Sequence, residues 1–161
     1  MAKKSNNLST KSKALELGIE KLASSGLTLD DAKQLKMEFL EPHSTSALHP
    51  SYRPLCSLQL PYHDPFGKPI SDWPKGKPFY RLRYLEVGTD FASLSEAKTV
   101  RYVQEPKTVP VAYYPTNQTW QHIINDPSEP IVITEGELKA AKSCKEGFPT
   151  VGLGGVYNWR S

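Results

Sequence analysis

Cysteine is scarce in this chain: Cys56 and Cys144 are the two in 161 residues. They lie far apart, and a zinc ribbon needs closely spaced thiol pairs, so no zinc is expected. Both are read as reduced thiols, which fits a cytoplasmic protein. Long apolar runs are also missing. None approaches the roughly 18 residues of a membrane helix, so no membrane partner is expected. The opening MAKKSNNLSTKSK is charged but has no apolar segment behind it, which excludes a secretory signal in that stretch. Charge of one sign is not strongly in excess: Lys and Arg total 20 against 17 Asp and Glu, a net +3. That balance permits nucleic-acid binding without requiring it. Glycine, at 10, is outnumbered by 14 prolines. Most prolines fall between residues 42 and 130. They exclude a helical bundle there and favour short strands and turns.

What is present divides the chain into four stretches. Residues 1–11 are polar and lysine-bearing, a flexible tail. Residues 12–42 predict a helical hairpin. Leu15, Ile19, Leu22 and Ala23 share one stripe, and Gly26 ends that helix. Thr28 and Asp31 form a capping box. Leu29, Ala32, Leu35 and Phe39 make a second stripe, closed by Pro42. Asp30, Asp31 and Glu38 on the second helix offset Lys33 and Lys36, so a packing hairpin is favoured over a DNA-reading one. Residues 43–127 predict a small, mostly antiparallel β-region. Its first stretch, with His43 and His49, reads as a loop without a metal set.

Within that region LCSLQL alternates with period two, and HDPFG supplies a turn. PFYRLRYLEV is a second strand. It puts Phe79, Arg81, Arg83 and Leu85 on one face and Tyr80, Leu82 and Tyr84 on the other. Arg81 and Arg83 beside aromatics suit a phosphate backbone and unstacked bases; a solvated strand face is the other reading. Residues 90–99 read as an irregular or briefly helical insert. VRYVQEP is strand-like, and PVAYYPTNQTW packs as strand and turn.

Residues 128–161 hold IVITEGELKAAKSCKEGFPTVGLGG, which reads strand, acidic turn, helix, strand, glycine turn. Ile131 to Thr134, rich in β-branched residues, predicts a buried parallel strand. Glu135 stands where that strand ends, the edge at which open α/β sheets place their sites. A carboxylate there can accept a proton or help to hold a divalent ion. It can equally be a helix-start charge and nothing more.

That stretch resembles the start of a Toprim domain, the Mg²⁺-dependent fold of primases and topoisomerases. LQLPYHDPFGKPI and FYRLRYLE are similar to the hairpin of the DnaG-type primase core. VRYVQEP and AYYP are similar to segments that follow it, and the order and spacing agree over residues 25–161. The nearest kin would be Toprim-bearing primase-helicases of phages and plasmids, whose N-terminal block was catalogued as a domain of unknown function. The resemblance implies an α+β fold with the first β-α-β of a Toprim-like sheet. It gives Glu135 the role of acid/base or metal-organising residue, with Mg²⁺ as cofactor. Arg83 matches the hairpin arginine, and Arg101, Tyr102 and Gln104 match residues lining a template groove; Arg81 joins them from the strand pattern.

Two departures bear on activity. Lys139 stands where many Toprim helices carry aspartate, and it could pair with Glu135. The later Asp-x-Asp motif does not occur before Ser161. The resulting expectation is the N-terminal portion of a primase, or of a replication protein derived from one. It would act on single-stranded DNA with nucleotides and a helicase or C-terminal domain as partners, and would be inactive alone. The alternatives are a non-catalytic single-strand-binding or protein-interaction module, and a Toprim nuclease fragment.

Overall fold

The computed structural model describes residues 12–71, 76–86 and 100–155. The expected tail at 1–11 and insert at 90–99 lie outside the described residues. The first helix, α1 (Lys13–Ser24), opens on Ser12, whose side chain accepts from the Leu15 amide. Its buried face is Ala14, Gly18 and Leu22; of the expected stripe only Leu22 is buried, and Ile19 and Ala23 are exposed. The rotation follows from a close approach. A Cβ on Gly18 would meet Phe39 Cδ1 at 2.1 Å, so the small residues are the ones that pack inward.

The capping box forms as read: the Thr28 side chain accepts from the Asp31 amide, and the Asp31 carboxylate accepts from the Thr28 amide. However, α2 (Leu29–Gln34) is only six residues long. Lys36 adopts a left-handed φ of 55°, and the Met37 amide closes on the Ala32 carbonyl. The chain then enters strand β1 (Glu38–Leu40). Phe39 therefore belongs to a sheet, not to a helical stripe. The expected loop after Pro42 is instead helix α3 (Pro42–Leu48). Pro42 sits in its first turn, where the missing amide proton costs nothing and the fixed φ favours the helix. Glu41 before it ties back to α1, accepting from Ser12 Oγ at 2.7 Å and the Ala14 amide at 3.0 Å.

Strands β2 (Ser57–Pro61), β3 (Tyr80–Tyr84) and β4 (Tyr102–Val103) complete an antiparallel sheet of order β1-β2-β3-β4. A short helix α4 (Gln121–Asn125) precedes the β-α-β unit. That unit is β5 (Val132–Glu135), α5 (Glu137–Lys145) and β6 (Thr150–Leu153), with β5 and β6 parallel. Tyr113 bridges antiparallel to Gly152, linking the preceding segment to β6. The architecture is α+β: a four-stranded antiparallel sheet and a small parallel pair. No helix of the described residues is long and apolar enough to cross a membrane.

Three apolar clusters hold these parts together, and α5 enters all of them. Leu138 and Ala141 join Leu22, Leu35, Leu58 and Leu60. Ala140 packs with Tyr62, Phe79 and Tyr113. Cys144 packs with Trp120, Ile123 and Val151. Each fully buried leucine is worth roughly 1.5–3 kcal/mol relative to exposure. Both cysteines are buried and unbridged.

Strand β5 departs from its expectation. Ile131, Val132 and Ile133 are 50%, 44% and 64% exposed. Among the described residues β5 has one neighbour, β6, and Gly152 of the pair packs against Ala140 of α5. The other face carries Ile131, Ile133, Val151 and Leu153, which line an open apolar cavity of about 510 Å³ with Ala112 and Tyr114.

Candidate nucleic-acid interface

The junction between the two sheets forms a cavity of about 640 Å³. Its position follows from three local structures. Near the end of strand β3, Arg83 stands opposite Tyr102 of β4. The last turn of α1 contributes Lys21, Ser24 and Ser25. The strand-to-helix turn of the β-α-β unit contributes Glu135 and Gly136. Gly136 has φ 94°, a conformation that L side chains rarely adopt, and it lets the chain turn directly from β5 into α5. Its amide still donates to the Leu153 carbonyl at 2.8 Å, so the parallel ladder runs to the cavity's edge.

The lining is cationic. Among the described residues Lys21, Arg83, Arg101, Lys139 and Lys142 line the cavity with one carboxylate, that of Glu135, and Lys142 is also ion-paired with Glu146. Burial, together with Arg83 and Arg101 nearby, pushes the Lys21 amine below its ordinary pKa. Such mutual repulsion is relieved when an anion enters. Arg83 Nε is buried without a hydrogen-bond partner among the described residues. Its guanidinium carbon lies 4.8 Å from the centre of the Tyr102 ring, within cation–π range. Burial raises the pKa of the Tyr102 phenol, against the opposing pull of Arg83, so the ring stays neutral. The set can hold phosphate oxygens and offer an aromatic face.

Arg83, Arg101, Tyr102 and Glu135 thus meet in one cavity, although they come from well-separated parts of the chain. Arg81 and Gln104 do not line it. Gln104 Nε2 donates to Thr108 Oγ1 at 3.0 Å, closing a local turn. Arg81 is buried and donates through Nη1 to Glu137 at 2.6 Å. Burial works against its charge, yet Glu137 and Tyr62 together outweigh this and hold the Arg81 pKa above its ordinary value. Lys139 and Glu135 share the cavity, but no ion pair joins them among the described residues.

Sequence reasoning missed Lys21, Lys142 and Glu137. Lys139 and Lys142, three apart on α5, carried a legible signal of one cationic helix face. Lys21 carried none, because only the packing of α1 against the sheet brings it to Arg83.

No curated protein matches the chain. A domain of unknown function, DUF3854, matches residues 119–161. A solved structure of the DnaG primase catalytic domain bound to ssDNA shares the fold, with a TM-score of 0.51 at 13% identity. The alignment covers 91% of this chain and 50% of that one, so the chain spans half the length of that domain.

Proposed function

We propose that the chain belongs to a primase-related replication protein and holds single-stranded DNA in the cationic cavity. The observation that carries this reading is the convergence of Lys21, Arg83, Arg101, Lys139 and Lys142 around Tyr102 and Glu135. Cations track a phosphate backbone, and an aromatic face accepts any base. The fold supports it, because the structurally similar DnaG domain is bound to ssDNA. The β-α-β unit, with Glu135 at the carboxyl end of its first strand, supports the Toprim assignment of residues 128–161.

Nucleotidyl transfer by a Toprim site would call on Mg²⁺, so the donor set matters. Octahedral Mg²⁺ is held by one or two carboxylates plus substrate phosphates. Among the described residues Glu135 is the one carboxylate that lines the cavity, and Lys21, Arg83, Arg101, Lys139 and Lys142 line it too. No group of three His, Cys, Asp or Glu among the described residues could hold a metal ion. One carboxylate among five cations repels a divalent ion, so the described residues do not fit a resident Mg²⁺, and the activity proposed for this chain is binding that does not depend on it.

Fluorescence anisotropy with a labelled single-stranded oligonucleotide tests the proposal. Arg83→Ala/Arg101→Ala should weaken binding and reduce the log–log salt slope by about 1.4, the value for two lost contacts on a single strand. Wild-type binding should be the same with Mg²⁺ or with chelator. Equal affinity and equal slope in the double variant would remove the cavity from the interface.

A further inference from the structure

Glu137 is fully buried on the first turn of α5, two residues beyond Glu135. One of its oxygens, Oε1, accepts from Arg81 Nη1 at 2.6 Å and from the Tyr62 hydroxyl at 2.7 Å. The other, Oε2, has no partner among the described residues, and neither has Arg81 Nε. An ion pair at this depth is poor evidence for a stabilising role, because apolar residues of similar volume often serve as well or better. A buried carboxylate with half its capacity unmet is therefore better explained by what it holds in place.

What it holds is directed at the cavity. Arg81 and Arg83 lie two apart on β3, and both guanidiniums reach the same ring: their Cζ atoms are 5.2 Å and 4.8 Å from the centre of Tyr102. Arg83 and Tyr102 line the cavity; Arg81 and Glu137 do not. We infer that Glu137 is a positioning residue for the cavity: through Arg81 it fixes the Tyr102 ring, and the ring fixes the Arg83 guanidinium where a phosphate can reach it. The inference rests on the reading that the cavity holds single-stranded DNA, and it ties the β-α-β unit to the antiparallel sheet at the point where both meet that DNA.

The sign of the effect separates this from simple electrostatics. Removing a negative charge near a cationic cavity should strengthen its attraction for DNA. Loss of positioning should weaken it. Glu137→Gln is expected to bind a labelled single-stranded oligonucleotide about fivefold more weakly, the scale of one partly desolvated cation–π contact. In an Arg83→Ala background the same substitution should add nothing, because its route to the ligand is gone. The paired Arg81→Met/Glu137→Met variant keeps the buried volume apolar and supplies a folded comparison; it should also bind weakly.

A second readout needs no DNA. The ¹⁵N–¹H signal of Arg83 Nε should be sharp in the wild type and broadened or shifted in both variants. Unchanged or tighter binding by folded Glu137→Gln, or an equal loss in the Arg83→Ala background, would overturn the inference. If the wild type does not bind the oligonucleotide, the functional reading fails and the Arg83 signal decides the positioning claim. A signal that is the same in wild type and variants would then reject it.

Discussion

Glu135 and Glu137 flank Gly136, yet one is exposed in the cationic cavity and the other is sealed against Arg81 and Tyr62. The same side chain, two positions along, thus stands in two opposite electrostatic settings. Under the proposed function Glu135 would oppose an incoming phosphate, and among the described residues no side-chain hydrogen bond or ion pair rests on it. Glu135→Gln should therefore bind single-stranded DNA more tightly, by about 1 kcal/mol or fivefold, the size of one unit charge at 4 Å in water-like dielectric. Its stability should fall by less than about 1 kcal/mol, a helix-dipole contribution. Anisotropy and urea denaturation measure the two quantities. Weaker binding would show that Glu135 takes part in holding the ligand.

Asp31 links the N-terminal hairpin to α5, accepting from Lys145 Nζ at 2.7 Å and from the Thr28 amide at 2.6 Å. Burial works against its charge, but Lys145 and Thr28 outweigh it and hold the carboxyl below its ordinary pKa. The folded pKa is depressed. The stabilisation is thus present above the unfolded value near 3.8 and is lost as pH falls through the folded value. Asp31→Asn should cost about 0.5–2 kcal/mol at pH 7, the range for a lost cap. Its deficit against the wild type should shrink below pH 4. A deficit that does not change with pH would place the effect in packing and not in charge.

Gly152 exchanges both main-chain hydrogen bonds with Tyr113, at 2.8 and 2.9 Å. A Cβ there would lie 3.2 Å from Ala140 Cβ and 3.3 Å from the Gly136 carbonyl oxygen. Neither neighbour can swing aside, since one is a methyl group of α5 and the other is backbone. Gly152→Ala should therefore destabilise by about 1–3 kcal/mol, as overpacking does. Thermal unfolding checks it, and an unchanged midpoint would mean that α5 is free to move outward.

The Tyr62 hydroxyl donates to Glu137 Oε1, and burial and then the Glu137 charge raise its pKa, so it remains a donor through neutral pH. Tyr62→Phe removes a hydrogen bond to a charged acceptor while leaving the ring stacked edge-on to Phe79 and Tyr113. It should cost about 1.5–3 kcal/mol. Because Arg81 keeps its place on Glu137, affinity for single-stranded DNA should hold while the denaturation midpoint falls. A parallel loss of affinity would give Tyr62 a share in orienting Arg81.

The sequence was most legible where one local rule sufficed. The Thr28–Asp31 capping box, the presence of strands β2 and β3, and the β5–α5–β6 unit all follow from patterns within a few residues. It was least legible where a local cue has two meanings. Pro42 can end one helix or begin the next, and the left-handed turn at Lys36 that decides between them has no glycine to announce it. Partners distant in sequence were hidden for a different reason. The period-two reading put Arg81 and Arg83 on one face, but whether each meets water or a carboxylate depends on α5, more than fifty positions away. Lys21 is hidden in the same way, as one polar residue among several on α1 until the sheet gives it neighbours. The exposure of β5 reverses an expectation drawn from composition, because β-branched residues favour strands whether or not both faces are covered.

Helix α5 is nine residues long and enters all three apolar clusters. The hydrogen-bonded amides of Ala140, Ala141 and Cys144 are expected not to open locally, since lifting that stretch unseats side chains from all three clusters. Hydrogen exchange at these amides should consequently proceed only through unfolding of the whole molecule, with a free energy equal to the global value. The short helix becomes a built-in gauge of total stability, and the wall of the cavity it supplies is as rigid as the protein itself.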